Sequence, residues 1–249
     1  IESILSGTSF LMSSVASGSF KNTAIQASST SKKYPVVGIA WEETLKWCNA
    51  KSEMEGLMPV YTLDGSVYKT GQREPLINPH SNGFRLPTEA EWEWAARAGA
   101  KALPGQHDQP ASANTWQGIF PMANASEDGF AGLAPVACYA PNAYGLFDMV
   151  GNVWELTADV FVADRPAVSS SQGSSANQGL DPDEAQRPPI FKTLQANSQP
   201  NSQPKVRVIK GGSFLCAPNY CMRYRAGSRQ PQEDDLAVSH LGFRTIYQP

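Results

Sequence analysis

The sequence predicts an α+β protein with small sheets, two main helices and many irregular loops. Apolar residues recur at helical spacing in only two segments of the 249-residue chain, and the other apolar runs are short or alternate with polar residues. The chain also contains 20 glycines and 19 prolines, which interrupt regular structure. Because 41% of the residues are hydrophobic, it can bury one substantial core, and we expect a single domain over residues 1–249.

The two predicted helices have recognisable ends. The first runs from Trp41 to about Lys51 and places Cys48 on its apolar face, where a buried thiol is expected. The second begins at Thr88, which forms a capping box with Glu91 three residues later, and Gly99 ends it.

The predicted strands are short. Residues 34–40 are apolar, and the alternating stretch around Asp64-Gly65 predicts a hairpin with a turn at that pair. We expect a buried strand at 214–215 and another after Cys221, with charged residues on one side. Residues 164–204 are rich in Ser, Gln, Asn and Pro, which predicts a flexible insertion rather than a domain.

Composition excludes two classes of function. The formal net charge is −3 and the lysines and arginines are dispersed, so no nucleic-acid partner is expected. No apolar stretch approaches the length of a membrane-spanning helix. The amino-terminal segment lacks the basic start of a signal peptide, and Ile1 suggests that the natural start lies further upstream.

The segment that carries chemistry contains Cys216 and Cys221, with four residues between them. A disulfide closing a short loop is one interpretation. A zinc half-site is another, although structural zinc takes four ligands, and the remaining Cys and His residues are scattered. Two soft thiolates could also select Cu(I), or the thiols could act in redox exchange. Spacing alone leaves all four interpretations open.

The residues around this pair resemble the formylglycine-generating enzymes, the oxidases that modify sulfatases. The similarity lies in GGSFLCAPNYCMRYR, in the closing Gly-Phe-Arg and in RLPTEAEWEWAAR. It implies a C-type-lectin-like fold and oxidation of a cysteine to Cα-formylglycine by dioxygen. The substrate would be an unfolded sulfatase segment bearing Cys-x-Pro-x-Arg. The resemblance implies these roles: Cys216 and Cys221 hold Cu(I), which the substrate thiol joins as a third soft ligand; Ser213 hydrogen-bonds near the site; Trp154 shapes the pocket wall; His240 orients oxygen or water.

Two clusters of oxygen donors suit calcium, although polar loop residues are more often only solvated. The resemblance assigns the first site to the side chains of Asn114 and Asp128 and the carbonyls of Thr115 and Phe130. It assigns the second to the side chains of Asp148 and Glu155 and the carbonyls of Gly151 and Val153. Both ions would be structural.

The chain departs from the family at the disulfide positions and in the region before residue 34. Family members often carry two disulfides, but Thr245, Ala96 and Ala226 stand at three of the four positions. The pattern suits a reducing prokaryotic cytoplasm, with a secreted or periplasmic location left open. The region before residue 34 is shorter than the family's, either because this protein is trimmed there or because residues are absent from the sequence, and this bears on substrate docking. One alternative function is that of a catalytically idle binding module of this fold. A second is that of another oxidase on this fold, although three scattered histidines cannot build a His-rich iron site.

Overall fold

The computed structural model describes residues 34–99, 113–163, 204–221 and 223–247. The region before residue 34 and all but the last residue of the predicted insertion lie outside these ranges. The described residues form a mixed α+β structure with two helices and two small sheets. In chain order the elements are α1 (Trp41–Met54), β1 (Tyr61–Leu63), β2 (Ser66–Val67), β3 (Leu76–Ile77), α2 (Glu89–Arg97), β4 (Trp154–Val160), β5 (Val206–Lys210), β6 (Gln230–Glu233) and β7 (Leu241–Phe243).

The larger sheet has the strand order β6-β5-β4-β7. Strand β4 pairs antiparallel with β5 and parallel with β7, so it is buried between two neighbours. Its residues from Trp154 to Ala158 are all buried, as expected of a central strand covered on both faces, and Glu155 is the one charged residue among them. The smaller sheet, β2-β1-β3, contains the predicted hairpin, and its turn residues Asp64 and Gly65 both have positive φ, as a tight hairpin turn requires.

Helix α1 is fixed to the smaller sheet by one buried side chain. The amide nitrogen of Asn49 donates to the carbonyls of Tyr61 and Tyr68 at 2.7 and 2.9 Å, and its oxygen accepts from the N–H of Tyr61 at 3.0 Å. The Tyr61 carbonyl also accepts from the N–H of Tyr68 at 2.9 Å, so Asn49 adds to the strand pairing rather than replacing it. The helix also buries Leu45 and Cys48, and it extends to Met54, beyond the predicted end.

Helix α2 has the predicted capping box. The Thr88 side chain accepts from the N–H of Glu91, and the Glu91 carboxylate accepts from the N–H of Thr88. Arg85 holds the same carboxylate with two hydrogen bonds of 2.7 and 2.8 Å. The helix ends at a left-handed Ala98 followed by Gly99. Its amino-terminal end is therefore fixed to the loop before it, which positions Trp92 against β4.

Three of the predicted strands are wrong. Residues 34–40 form no strand; Gly38 has φ +69°, which breaks an extended run, although its N–H donates to the carbonyl of Val238. Residues 214–215 lie in a turn, and residues 223–229 form no strand; the next strand is β6, which begins at Gln230. The cause is Gly211-Gly212: both have positive φ and turn the chain away from the sheet directly after β5. None of the helices among the described residues has the length and apolar character needed to cross a bilayer.

Candidate active site

The sulfur atoms of Cys216 and Cys221 lie 3.2 Å apart, and both residues are free thiols. A tight turn brings them together: the N–H groups of Tyr220 and Cys221 donate to the carbonyl of Ala217 at 3.1 and 2.8 Å. The four intervening residues therefore curl back instead of extending. The result is a pair of soft donors at one point, half-open to solvent on the Cys221 side.

The two thiols differ in acidity. Cys216 is only 2% exposed, whereas Cys221 is partly exposed. The Cys216 thiol donates to the sulfur of Cys221, and this bond lowers the pKa of Cys221 to about 6, with help from the backbone N–H and charge of Arg223. The same hydrogen bond, together with burial, raises the pKa of Cys216. Cys221 is therefore the thiolate of the pair at neutral pH.

Ser213 holds the buried sulfur of Cys216 through backbone hydrogen bonds. Its backbone N–H donates to the Cys216 sulfur at 3.4 Å, and its carbonyl accepts from the Cys216 N–H at 2.9 Å. Its hydroxyl accepts from the N–H of Leu215 at 3.2 Å, which holds the turn. Ser213 is itself buried, so the turn is enclosed in protein rather than solvated.

Trp154 and His240 adjoin each other at the start of β4. The N–H of Trp154 donates to the carbonyl of His240 at 2.8 Å, and Trp154 belongs to the same core cluster as Cys216. His240 is partly buried, and this burial lowers the pKa of its imidazole. Among the described residues, the imidazole makes no hydrogen bond to either thiol, so the structure does not join it to the sulfur pair.

The first predicted calcium site is organised by Asp128. One carboxylate oxygen accepts from the N–H of Thr115 at 3.0 Å and the other from the N–H of Phe130 at 3.0 Å, so Asp128 joins both loops. The amide nitrogen of Asn114 donates two hydrogen bonds, but its buried oxygen has no hydrogen-bond partner in the described part of the chain. A buried acceptor without a donor is destabilising. A hard cation beside Asp128 would satisfy it, so these residues fit calcium.

The four ligands of the second predicted calcium site line one cleft: Asp148, Gly151, Val153 and Glu155. Arg244 also lines it and already binds Glu155, with its Nε and Nη2 atoms 2.5 and 2.7 Å from the two carboxylate oxygens. Burial raises the pKa of Asp148, because its carboxylate has little water around it. The lining thus offers two carboxylates to one guanidinium, and the remaining negative charge fits a hard cation.

The described residues around the thiol pair provide no further ligands for zinc. Within the described ranges, no group of three or more His, Cys, Asp or Glu side chains is arranged to hold a metal ion. The thiol pair alone therefore provides two protein ligands, fewer than a structural zinc site uses.

Residues 10–249 match the model of the sulfatase-modifying factor enzyme 1-like domain. The chain belongs to this family. It is 42% identical over 172 residues to the formylglycine-generating enzyme of Mycobacterium tuberculosis, an alignment that covers 67% of this chain and 52% of that protein. It is 53% identical over 168 residues to the inactive C-alpha-formylglycine-generating enzyme 2 of Mus musculus, covering 65% and 42%. The chain thus spans about half the length, or less, of these curated relatives.

Solved structures agree with the family assignment. Treponema denticola variable protein 1 has a TM-score of 0.60 and 25% identity, covering 93% of this chain and 77% of that one. CarF has a TM-score of 0.58 and 26% identity, covering 87% and 68%. The loop-rich, C-type-lectin-like α+β fold expected of the sulfatase-modifying factor family is therefore the fold of this chain.

Sequence reasoning missed two contributors to the candidate sites of this family member. Arg244 was visible only as part of a Gly-Phe-Arg motif, and Trp92 only as a core residue, yet both donate to Glu155. The Trp92 indole N–H lies 2.6 Å from that carboxylate. The one available signal was Glu155, which directly follows the apolar Trp154, because a carboxylate in a buried strand needs hydrogen-bond donors.

Proposed function

We propose that this protein is a copper-dependent oxidase that converts a cysteine in a Cys-x-Pro-x-Arg segment of an unfolded sulfatase to Cα-formylglycine with dioxygen. The observation that carries the proposal is the pair of free thiols 3.2 Å apart, with one sulfur buried and the other partly open to solvent. Several family relatives carry the name formylglycine-generating enzyme, which supports the same reaction.

The donor chemistry fits Cu(I). Two thiolates are soft ligands, and low coordination leaves room for a further sulfur from the substrate. A Cu(I) ion held there supplies a binding position for the substrate thiolate and the electrons that activate dioxygen. The low pKa of Cys221 means that this ligand is ionised before any metal arrives, while the more basic Cys216 loses its proton on binding.

The protein's own residues hold and shape this site. Ser213 fixes the Cys216 sulfur through its backbone N–H, so the pair keeps its separation. Trp154 forms the apolar wall that keeps water from the reacting thiol, and His240 offers an uncharged imidazole to orient oxygen or water. We assign calcium to both oxygen clusters as a structural ion, since the loops around Asp128 and Asp148 have little regular backbone bonding. Free cysteines throughout the described chain support a reducing compartment such as the prokaryotic cytoplasm.

The test is a cysteine-to-aldehyde assay on a Cys-x-Pro-x-Arg peptide with Cu(I), dioxygen and a thiol reductant. Dioxygen accepts more electrons than this oxidation releases, and the reductant supplies the rest. We expect aldehyde product by mass spectrometry from the wild type and none from Cys216→Ser or Cys221→Ser. Cys138→Ser, at an exposed thiol outside the site, is the matched control and retains turnover. Full activity of Cys221→Ser would reject the two-thiolate mechanism.

A catalytically idle binding module is the second candidate. It is favoured by the 53% identity to a mouse relative named as inactive. An idle module would bind the peptide without forming aldehyde under any copper or oxygen condition. The same assay, run beside a peptide-binding measurement, therefore separates the two functions.

A further inference from the structure

The thiol turn, which we define as residues 211–221, is held at its start by two backbone hydrogen bonds from one loop. The N–H of Gly151 donates to the carbonyl of Gly211 at 2.9 Å, and the carbonyl of Asn152 accepts from the N–H of Phe214 at 2.9 Å. Cys216 follows Phe214 by two residues. Because adjacent Cα atoms are only about 3.8 Å apart, a displacement of Asn152 is passed on to the buried thiol.

A second loop binds the same turn at Cys216 itself. The N–H of Trp116 donates to the carbonyl of Cys216 at 3.0 Å. Two residues before Trp116, the carbonyl of Asn114 accepts from the N–H of Asn152 at 2.8 Å. The two loops that support the thiol turn therefore meet at Asn152.

The Asn152 side chain joins these loops from inside the protein, where the residue is 2% exposed. Its Oδ1 atom accepts from the N–H of Ala134 at 3.0 Å and from the amide nitrogen of Asn114 at 3.1 Å, and its Nδ2 atom donates to the carbonyl of Ala134 at 3.1 Å. An asparagine amide can make about four hydrogen bonds, and a buried amide with most of them formed specifies one arrangement of its partners. The amide thus fixes where the supporting loops lie relative to each other.

The backbone of Asn152 is as specific as its side chain. Its φ of +61° lies in the left-handed region, which asparagine adopts more readily than most residues. Gly151 before it has a φ of +72°, and a Cβ at that position would overlap the carbonyl of Asn114. This Gly-Asn pair turns the chain so that the Gly151 N–H and the Asn152 carbonyl both reach the thiol turn.

We propose that Asn152 is a positioning residue for the thiol pair: its amide holds the backbone that sets the place of Cys216 relative to Cys221. The effect on turnover rests on the proposed function, whereas the effect on the two sulfur atoms does not. No hydrogen bond of the described structure joins the Asn152 amide to either sulfur, so the residue acts through Gly211 and Phe214. Without the amide, the supporting loops lose their common partner, and the sulfur atoms no longer stay 3.2 Å apart.

The test replaces Asn152 by glycine, which keeps the left-handed backbone but deletes the amide. The readout is the equilibrium between the dithiol and the disulfide of Cys216 and Cys221 in glutathione buffers, in a Cys138→Ser background with calcium and a copper chelator present. Oxidised glutathione takes up the two electrons and two protons that the thiols release. The equilibrium constant for closure should fall about tenfold in Asn152→Gly, because a disulfide forms only where the sulfur atoms can meet. Cu(I) affinity, measured without the copper chelator by competition with a coloured one, should fall by a similar factor.

Asn49→Ala is the matched control. The Asn49 amide is also buried and also makes three hydrogen bonds, but these join α1 to the smaller sheet rather than to the thiol turn. Asn49→Ala should lower Tm, as Asn152→Gly does, and leave the closure constant unchanged. Equal closure constants in the wild type and Asn152→Gly would overturn the inference, and so would an equal fall in both variants, since general loosening would then explain the effect.

A milder variant and turnover complete the test. If Asn152→Gly does not fold, Asn152→Asp replaces it, because aspartate also adopts the left-handed region and keeps both accepted hydrogen bonds. Loss of the one donated bond should lower the closure constant about threefold, and an unchanged constant would reject the role of the amide. In the aldehyde assay, Asn152→Gly should lower kcat about tenfold with KM little changed. No aldehyde from the wild type would reject the proposed function, and the sulfur equilibrium would still decide the role of Asn152.

Discussion

The unequal acidity of the two thiols gives a quantitative prediction for the metal-free protein. Cys221 has a pKa of about 6 because Cys216 donates a hydrogen bond to it. Replacing Cys216 by alanine removes the donor, so the pKa of Cys221 rises toward the ordinary value of about 8.5. At pH 6 the ionised fraction of Cys221 then falls from about one half to roughly 0.3%. A more basic thiolate is intrinsically more nucleophilic, by roughly ten- to twentyfold over this pKa change, so alkylation slows by only about tenfold.

The assay is the rate of iodoacetamide modification between pH 5 and 9, in a Cys138→Ser background with a copper chelator present. Cys48 does not interfere, because it is buried and burial raises its pKa. The wild-type rate should reach half its maximum near pH 6, and the midpoint of Cys216→Ala should lie well above it. Cys216→Ser is the matched control, since its hydroxyl still donates and the midpoint moves less. Identical midpoints in wild type and Cys216→Ala would refute the hydrogen-bond explanation.

Three further predictions concern stability. Chelator treatment should lower Tm, and added calcium should restore it, with a smaller recovery in Asp128→Ala. At a hundredfold excess over Kd, a bound ion should raise the free energy of unfolding by about 2.7 kcal/mol. An unchanged melting curve would reject both calcium sites. Arg244→Leu should cost about 3–5 kcal/mol in urea unfolding, because Glu155 is left charged and buried, whereas Arg73→Ala, at an exposed ion pair, should change little. Thr88→Ala should cost about 1 kcal/mol through loss of the α2 cap, and Thr88→Ser should restore most of it.

Local features of the fold were predictable, and non-local ones were not. The capping box of α2 and the Asp64-Gly65 turn depend on residues three or fewer apart, so the sequence contains all of the information. The parallel pairing of Trp154 with Leu241 joins distant segments, and no pattern within either one reports it. The apolar pair after Gly211-Gly212 was taken for a strand because apolar content cannot distinguish a strand from a buried turn.

The same division applies to the candidate site. The resemblance to the family indicated which residues gather, and Cys216 and Cys221 do lie side by side. It could not give the direction of the hydrogen bond between them, which depends on the burial of one sulfur and the nearby charge of Arg223. Nor could it indicate that the Asn114 oxygen is buried without a donor, because that depends on where the loops around it close.

Strand β4 begins with Trp154 and Glu155, and neighbouring residues of a strand project to opposite faces. Trp154 therefore packs in the core cluster that contains Cys216, while Glu155 lines the cleft with Asp148 and Arg244. A shift of β4 by a single residue would exchange the indole and the carboxylate between these two places and put a charge in the apolar core. Pairing of Glu155 with Lys210 and of Trp154 with Leu241 prevents that shift. The register of β4 thus keeps the indole in the core beside Cys216 and the carboxylate in the cleft beside Arg244.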